Sequence, residues 1–574
     1  MRTKKLRAFL QSVFLRRRRD EKVARRETSG HHRRHVRALT GRNKTSAAPP
    51  AREIFSALSQ TFHVWLLSCR RFAAQTKPLR HSLNSKIISL SLVCMMTFMV
   101  VGNTLGQKET PPLPAAPRPV TIPKPVEKTL PNGLRVIVIE RKNVPLVTAQ
   151  LIIKTGGEVE ADNISGTADM TAQLLTKGTK TRTAPQIAEA IEALGGSIFS
   201  GAGWDNSSVT VTVTSDKIAQ AFEIMSDVVR NPTFKDEEIE RLREQRLDEL
   251  QVEMSDPPSI ARKVAARVVF GADSYGHPLG GTIETVKNIK RENIVGMHDS
   301  FYRPTNAVLV IVGDVKAIQA FAVAQKNFGA WVGKKIPQAK KGMDVSITPA
   351  KQGRVVVIDM PDAGQAAVNA AQKTIMRQDP SFIAATVANS VLSGYSGRLN
   401  QEIRIKRGLS YGAGSSINAR RTSGIFSART QTKNESAAIV AALLINELER
   451  LSNEPISVEE LTPRKAVLIG DFGRGMETTF GLVDQIGNLA LYGFSLDIIN
   501  TYIQRVQAVT DKDIQQFAKA GIPTEQTNII IVGNAKMFLY ELKKRFLNVE
   551  VIPINDLDLN NASLRKGNPN AVKK

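Results

Sequence analysis

The chain has 574 residues, 42% hydrophobic and 23% charged, which is too long for one ordinary core and apolar enough for most of it to fold. Its net charge of +26 is unevenly spread: residues 1–86 hold 22 lysines and arginines against Asp20, Glu21, Glu27 and Glu53, a net +18, which leaves +8 for the rest. A nucleic-acid role read from overall charge is therefore excluded for the body, and two cysteines, Cys69 and Cys94, exclude a disulfide scaffold and any thiol chemistry after position 94.

Residues 1–85 are expected to be a basic, disordered leader, because nothing in them could build a core. A start downstream of Met1, a tail for nucleic acid or anionic lipid, and a mitochondrial presequence are the alternatives. Ile87 to Gly102 is sixteen residues without a charge, preceded by Lys77, Arg80 and Lys86. It is short for a spanning helix, so 86–107 reads as an export signal, with an uncleaved anchor as the alternative. Residues 108–128 contain seven prolines and read as an extended linker. These features imply a periplasmic or secreted protein, or one anchored by its apolar segment.

The body follows. Leu134–Glu140 and Val147–Lys154 are β-branched runs flanking Pro145, a hairpin-like start. Helical periods are expected at Met170–Leu175, Pro185–Leu194, Lys217–Val229 and Asp236–Met254. Ser207–Thr214 alternates with period two, which predicts a strand with one wet face and a candidate sheet edge.

The second half echoes the first. Gly196–Phe199 matches Gly408–Tyr411, 212 residues on; Glu237–Ile239 matches Glu459–Leu461, 222 on; and Asn306–Gly313 matches Asn528–Gly533 at nearly that second offset. The expected class is α+β, two homologous domains in tandem, each a mostly antiparallel sheet packed with helices. Their bounds are 129–335 and 351–548, with a linker at 336–350 and a tail at 549–574.

The body resembles the insulinase family of zinc peptidases, the M16 family or inverzincins, over about residues 129–560. The resemblance rests on Leu130–Leu134, Gly166–Thr179, Tyr275–Thr282, Phe301–Ala307, and Gly397–Leu399 through Gly408–Tyr411. The family's signature is H-x-x-E-H on a helix: two histidines one turn apart hold zinc, the glutamate deprotonates its water, and a downstream glutamate is the third ligand. By that resemblance Asp169 stands at the first histidine, Ala172 at the general base and Gln173 at the second histidine, while Glu249 keeps the third-ligand place.

The residues alone agree. The body's only histidines, His277 and His298, are 21 positions apart, so no i, i+4 pair exists. Asp169, Gln173 and Glu249 are too few to close a hard-cation site without waters, and an alanine methyl takes no proton. Gly470–Gly475 has a glycine rhythm but sits in a helical stretch and reads as structural, as do His277 in a turn and His298 on a helix.

The resemblance further implies an arginine and a tyrosine of the second domain that contact substrate, here Arg404 and Tyr411. The alternative is that Arg404 pairs with Glu402 and Tyr411 fills core. The resemblance also implies peptide binding by strand addition and pairing with a zinc-bearing subunit, so that no cofactor is expected in this chain and zinc only in the partner. The expected function is a catalytically silent subunit that binds peptides. A scaffold without a peptide role and a peptidase with an unorthodox metal site at Asp169, Gln173 and Glu249 are the alternatives.

Overall fold

A computed structural model of the chain describes residues 122–332 and 352–567. The basic leader, the apolar segment 86–107, most of the Pro-rich stretch and the expected linker at 336–350 lie outside the described residues. No helix among the described residues is long and apolar enough to cross a membrane.

The first half carries strands β1 (Val126–Thr129), β2 (Arg135–Glu140), β3 (Leu146–Ile153), β4 (Ser197–Ala202), β5 (Ser207–Thr214) and β6 (Ala307–Gly313). Its helices are α1 (Thr167–Leu174), α2 (Ala184–Glu192), α3 (Ile218–Arg230), α4 (Asp236–Glu253), α5 (Pro257–Phe270), α6 (Ile283–Asn288), α7 (Arg291–Phe301) and α8 (Ala317–Phe328). The second half carries β7 (Val355–Asp359), β8 (Ala366–Thr374), β9 (Ala413–Ala419), β10 (Gly424–Thr432), β11 (Asn528–Gly533) and β12 (Val549–Pro553). Its helices are α9 (Phe382–Leu392), α10 (Ala437–Asn453), α11 (Val458–Met476), α12 (Thr479–Leu491), α13 (Ile498–Ala508), α14 (Asp511–Gly521) and α15 (Leu539–Arg545).

Each half folds around a six-stranded sheet, in the orders β1-β2-β6-β3-β5-β4 and β12-β7-β11-β8-β10-β9. The five strands after the outermost one correspond one to one. The outermost strand differs: antiparallel β1 from the N-terminal side in one sheet, parallel β12 from the C-terminal side in the other. The pairings are mostly antiparallel, with parallel β2–β6 and β7–β11 ladders.

The strand patterns explain the joining of the halves. Residues alternate across a sheet. In β2 and β6, Val136, Val138, Leu309 and Ile311 face the helices of their own half. Ile137, Ile139, Val308, Val310 and Val312 face the other way and pack against Leu482, Val483 and Ile486 of α12, from the second half. The second sheet does the same: Val355, Val357, Ile529 and Ile531 pack within their half, while Val356, Ile358, Ile530 and Val532 pack on Ile260, Val264 and Ala265 of α5, from the first half. The two halves exchange equivalent helices, which start 222 residues apart. Both helices open on side-chain caps: Asp256 accepts from Ser259 N at 3.0 Å, and Thr478 accepts from Gly481 N at 2.9 Å.

Four expectations change. β2 and β3 are not a hairpin, because β6 lies between them. β5 is an interior strand between β3 and β4, with most of its residues buried; the free edge belongs to β4. The counterpart of β4 is β9 at Ala413–Ala419, so Gly408–Tyr411 precedes the equivalent strand instead of matching it. The chain after 548 is structured: β12 pairs β7, and Leu557, Leu559 and Leu564 join the core beneath the second sheet. Arg267 of α5 donates to Leu559 O at 2.9 Å there.

A polar joint reinforces the exchange. Asp205, 2% exposed, accepts from Tyr275 OH at 2.5 Å, and from Tyr492 OH and Arg421 N of the second half at 2.9 Å each. The Arg421 guanidinium reaches Glu158 Oε1 at 3.2 Å and the carbonyls of Lys154 and Asp205 at 3.1 and 2.9 Å. Arg420 lies over the rings of Trp204 and Tyr275, 4.4 and 4.7 Å from their centroids. Asp205→Ala leaves two hydroxyls and an amide without their acceptor. Its expected cost is about 3 kcal/mol in denaturant melts, with Asp205→Asn costing clearly less.

Glu158 also gives the joint a pH dependence. Burial pushes its carboxyl up to about 7, against the opposing pull of the Gly156 amide and Arg421. A carboxyl raised by folding contributes most below its unfolded value, and that contribution is lost as pH rises through the folded one. Glu158→Gln should therefore match the parent chain in melting temperature near about pH 4, gain on it as pH rises from about 4.5 to 7.5, and hold that gain above about pH 8. A constant difference across that range would contradict the assignment.

Candidate functional site

The site begins where α1 begins. Gly166 caps the helix with φ 98°, in the left-handed region that glycine tolerates. Its N–H donates to Glu160 Oε2 at 3.0 Å, and Ala168 N donates to Glu160 Oε1. A buried carboxylate on a helix N-terminus satisfies two otherwise orphaned amides. Burial nonetheless dominates and pushes the Glu160 carboxyl up to about 8, with Asp169 and Glu158 adding repulsion.

One turn along, Asp169 and Gln173 share a face of α1, and Gln173 Nε2 donates to Asp169 Oδ2 at 2.9 Å. The amide nitrogen is thus committed to Asp169, and only a neutral carbonyl oxygen stands where the signature has an imidazole. Ala172 is fully buried, its methyl in the core. Glu249 comes from α4, as the family spacing implies, but it is engaged: its oxygens accept from Gln245 Nε2 at 2.9 Å and Arg246 Nη1 at 3.0 Å.

Arg246 is the residue that the sequence reading did not single out. Its side chain is 14% exposed. Its guanidinium also bonds Glu253 Oε1 at 3.0 Å and Gly280 O at 3.0 Å. Its charge also acts on Asp169, holding that carboxyl down against the larger upward push of burial. A Cβ at Gly280 would lie 2.4 Å from Arg246 Nη2, so the glycine lets the arginine lie against the loop. A fixed cation therefore stands among Asp169, Glu249 and Glu253. A sequence signal existed: Arg246, Glu249 and Glu253 are spaced i, i+3, i+7, one face of a helix.

The residues present do not fit zinc. Two carboxylates and an amide replace a set of two imidazoles and a carboxylate, and a guanidinium already neutralises the carboxylates. Among the described residues, no group of three or more His, Cys, Asp or Glu side chains is placed to hold a metal ion. No group at position 172 can take a proton from water.

The other residues singled out from sequence fall elsewhere. His277 Nε2 lies 3.1 Å from Gly157 O, with burial holding the imidazole below its usual range; His298 Nε2 lies 2.7 Å from Val229 O. Both are structural. Gly470–Gly475 lies inside α11. Arg404 sits on a single π-helical turn, Gln401–Ile405, with its guanidinium 5.5 Å from the Tyr395 ring centroid. Glu402 pairs with Lys406 and Arg407, not with Arg404. Tyr411 is 88% exposed, so it fills no core. No hydrogen bond or ion pair among the described residues links Arg404 or Tyr411 to α1.

Two predictions follow from Arg246. Arg246→Leu takes the guanidinium from Glu249 and Asp169 and leaves Glu253 to Lys263 alone, and should lower stability by about 2 kcal/mol in denaturant melts. Restoring the signature with Asp169→His, Ala172→Glu and Gln173→His should give zinc affinity at least about tenfold weaker with Arg246 present than with Arg246→Leu added, read by a competing chelator. Equal affinity in the two backgrounds would show that the guanidinium does not oppose the metal.

Comparison with known proteins agrees with this geometry. The insulinase (peptidase family M16) model matches residues 135–283, and the peptidase M16 inactive domain model matches 288–468. The second name describes a domain; the silence of this chain rests on Asp169, Ala172 and Gln173. The chain is 26% identical over 413 residues to an uncharacterised zinc protease of Streptomyces coelicolor, covering 71% of this chain and 89% of that one. It is also 26% identical over 410 residues to one of Rickettsia bellii, covering 71% and 97%. Its fold matches the crystal structure of a Helicobacter pylori protease with a TM-score of 0.68 at 20% identity, over 72% of this chain and all of that one. A peptidase M16 inactive domain from Pseudomonas fluorescens matches with a TM-score of 0.64 at 24% identity, over 71% and 98%. With both halves of the fold matched and the metal-and-base signature replaced, the chain belongs to the insulinase (M16) peptidase family as a catalytically inactive member.

Proposed function

We propose that this chain is a silent subunit that binds extended peptides and pairs with a zinc-bearing M16 peptidase. One observation carries the reading: the family fold is intact around a site that has lost both histidine ligands and the base, with a free sheet edge beside it. β4 pairs only with β5, packs against α1, and presents Phe199 at 66% exposure. An edge strand offers unpaired main-chain groups to an extended peptide, and an exposed aromatic adds a side-chain contact.

Arg404 and Tyr411 fit a role toward the partner. Neither is hydrogen-bonded or ion-paired to this chain's own α1 among the described residues, and Tyr411 projects into solvent with Tyr395 (72% exposed) nearby in sequence. Their hydroxyl and guanidinium suit a peptide backbone or carboxylate bound in the partner's half of a shared chamber. Export to the periplasm or beyond, argued from residues 86–107, remains part of the proposal.

The test is co-expression with the zinc-bearing M16 chain of the same organism. The expected result is co-purification, no cleavage by this chain alone, and faster cleavage by the pair than by the partner alone. In the pair, Tyr411→Phe or Arg404→Ala should lower kcat/KM, and Phe199→Glu should weaken peptide binding by about tenfold, about 1.4 kcal/mol. Failure to associate, together with no peptide affinity, would favour a scaffold instead. Cleavage by this chain alone that Glu249→Ala abolishes would overturn the reading.

A further inference from the structure

We propose that the second half holds a separate site for a small aromatic carboxylate, in the cavity enclosed between the start of α9 and helices α11, α12 and α13. The cavity has a volume of about 480 Å³, within the range of small-ligand pockets. None of its walls belongs to the α1–α4 site or to the β4 edge, so this proposal does not rest on the subunit reading.

The body of the ligand is specified by the walls. Phe472 and Tyr502 line one side and stack on each other, centroids 4.5 Å apart at 26°, which leaves an outer ring face and ring edges to a guest. Phe382 and Phe494 line the other side together with Arg377. The Arg377 guanidinium lies 3.9 Å from the Phe382 centroid and 4.8 Å from that of Phe494, which holds its plane in place by cation–π contact. A planar aromatic body fits between such surfaces better than a branched aliphatic one.

The charge of the ligand is specified by what the cavity leaves uncompensated. Two guanidiniums, Arg377 and Arg505, line it, and neither makes an ion pair within 4 Å among the described residues. Two carboxylates also line it: Asp471 has a cationic partner, and Asp379 keeps its charge while accepting from Ser381. Asp379 Oδ1 accepts from Ser381 N at 2.8 Å and Ser381 Oγ at 2.6 Å, and Asp471 pairs with Arg474 on the outer face of α11. The charged and titratable groups acting on Arg377 are Tyr492, Arg505 and Tyr502; the second cation repels it and, with burial, holds it below its usual range. Two guanidiniums against the single unpaired carboxylate of Asp379 leave the space a net positive charge, which favours a guest that brings an anion. The Tyr502 hydroxyl, on the same wall, adds a donor beside them.

The probe is 2-naphthoate, titrated into the full chain by calorimetry, with 2-naphthalenemethanol as the neutral analogue of the same body. The expected result is saturable binding of the acid at one site per chain, with the alcohol at least about tenfold weaker, and weakening as salt is raised. Arg377→Gln should weaken the acid by about tenfold and leave the alcohol unchanged. Arg377 packs on three aromatic rings, so its variant is paired with Arg505→Gln, an exposed helix position whose removal spares the core. Equal affinity for acid and alcohol, acid binding untouched in both folded variants, or no saturable binding of the acid up to about 5 mM would each overturn the proposal.

Discussion

Each sheet of this protein has an apolar face that its own half does not cover. Everything else in the body depends on how those faces are buried. Ile137, Ile139, Val308, Val310 and Val312 would be exposed in an isolated first half, and Val356, Ile358, Ile530 and Val532 in an isolated second half. At roughly 1.5–3 kcal/mol for each fully buried aliphatic side chain, that surface cannot be left wet. The halves solve it by exchange, α5 onto one sheet and α12 onto the other. The exchange ties two domains of the same ancestry into one core. It also explains the strands' composition: buried on both faces, β2, β6, β7 and β11 read as unbroken apolar runs and not as alternation.

The same rule separates what sequence reading could and could not see. Helix periods were legible because each helix buries a single stripe, and α2, α3 and α4 lie within two residues of their expected bounds. The repeat was legible where apolar runs are distinctive, as in Val308–Val312 and Ile529–Val532. It slipped by four residues at Gly408, where a π-helical turn precedes β9 and the local pattern is polar. Strand order was not legible. β6 enters between β2 and β3 from far along the chain, so no local pattern marks it, and an alternating β5 proved to be interior because its wet-looking threonines are covered. Thr210, for example, is 6% exposed, and Thr212 Oγ1 lies 3.0 Å from Oγ1 of the buried Thr148 on β3. The chain after 548 looked like a tail because its apolar residues are spaced for three different contacts.

At the lost catalytic site, the sequence told which groups were missing but not what replaced them. Absence of histidine is a fact of composition, and a buried alanine settles the base. The presence of Arg246 is a fact of geometry. The guanidinium supplies to Asp169, Glu249 and Glu253 part of the positive charge that a zinc ion would supply to the carboxylate of the family signature. In that sense the site has remained electrostatically satisfied while changing its chemistry. A cluster of acids without either cation would repel itself across a half-buried space.

The fold and the chemistry could part company because different residues serve them. Glu160 and Gly166 set the start of α1, and neither is a ligand in the signature. Met170 and Leu174 hold the helix to the core on its other face. Positions 169, 172 and 173 are left to face α4 and the interior without determining where the helix lies. Substituting them removes two zinc ligands and the base and leaves α1, the β4 edge and the two-half exchange in place. That is why a silent member can retain the full architecture of a peptidase while keeping none of its zinc chemistry, and why the sequence between Gly166 and Thr179 still matches the family at its ends but not at its centre.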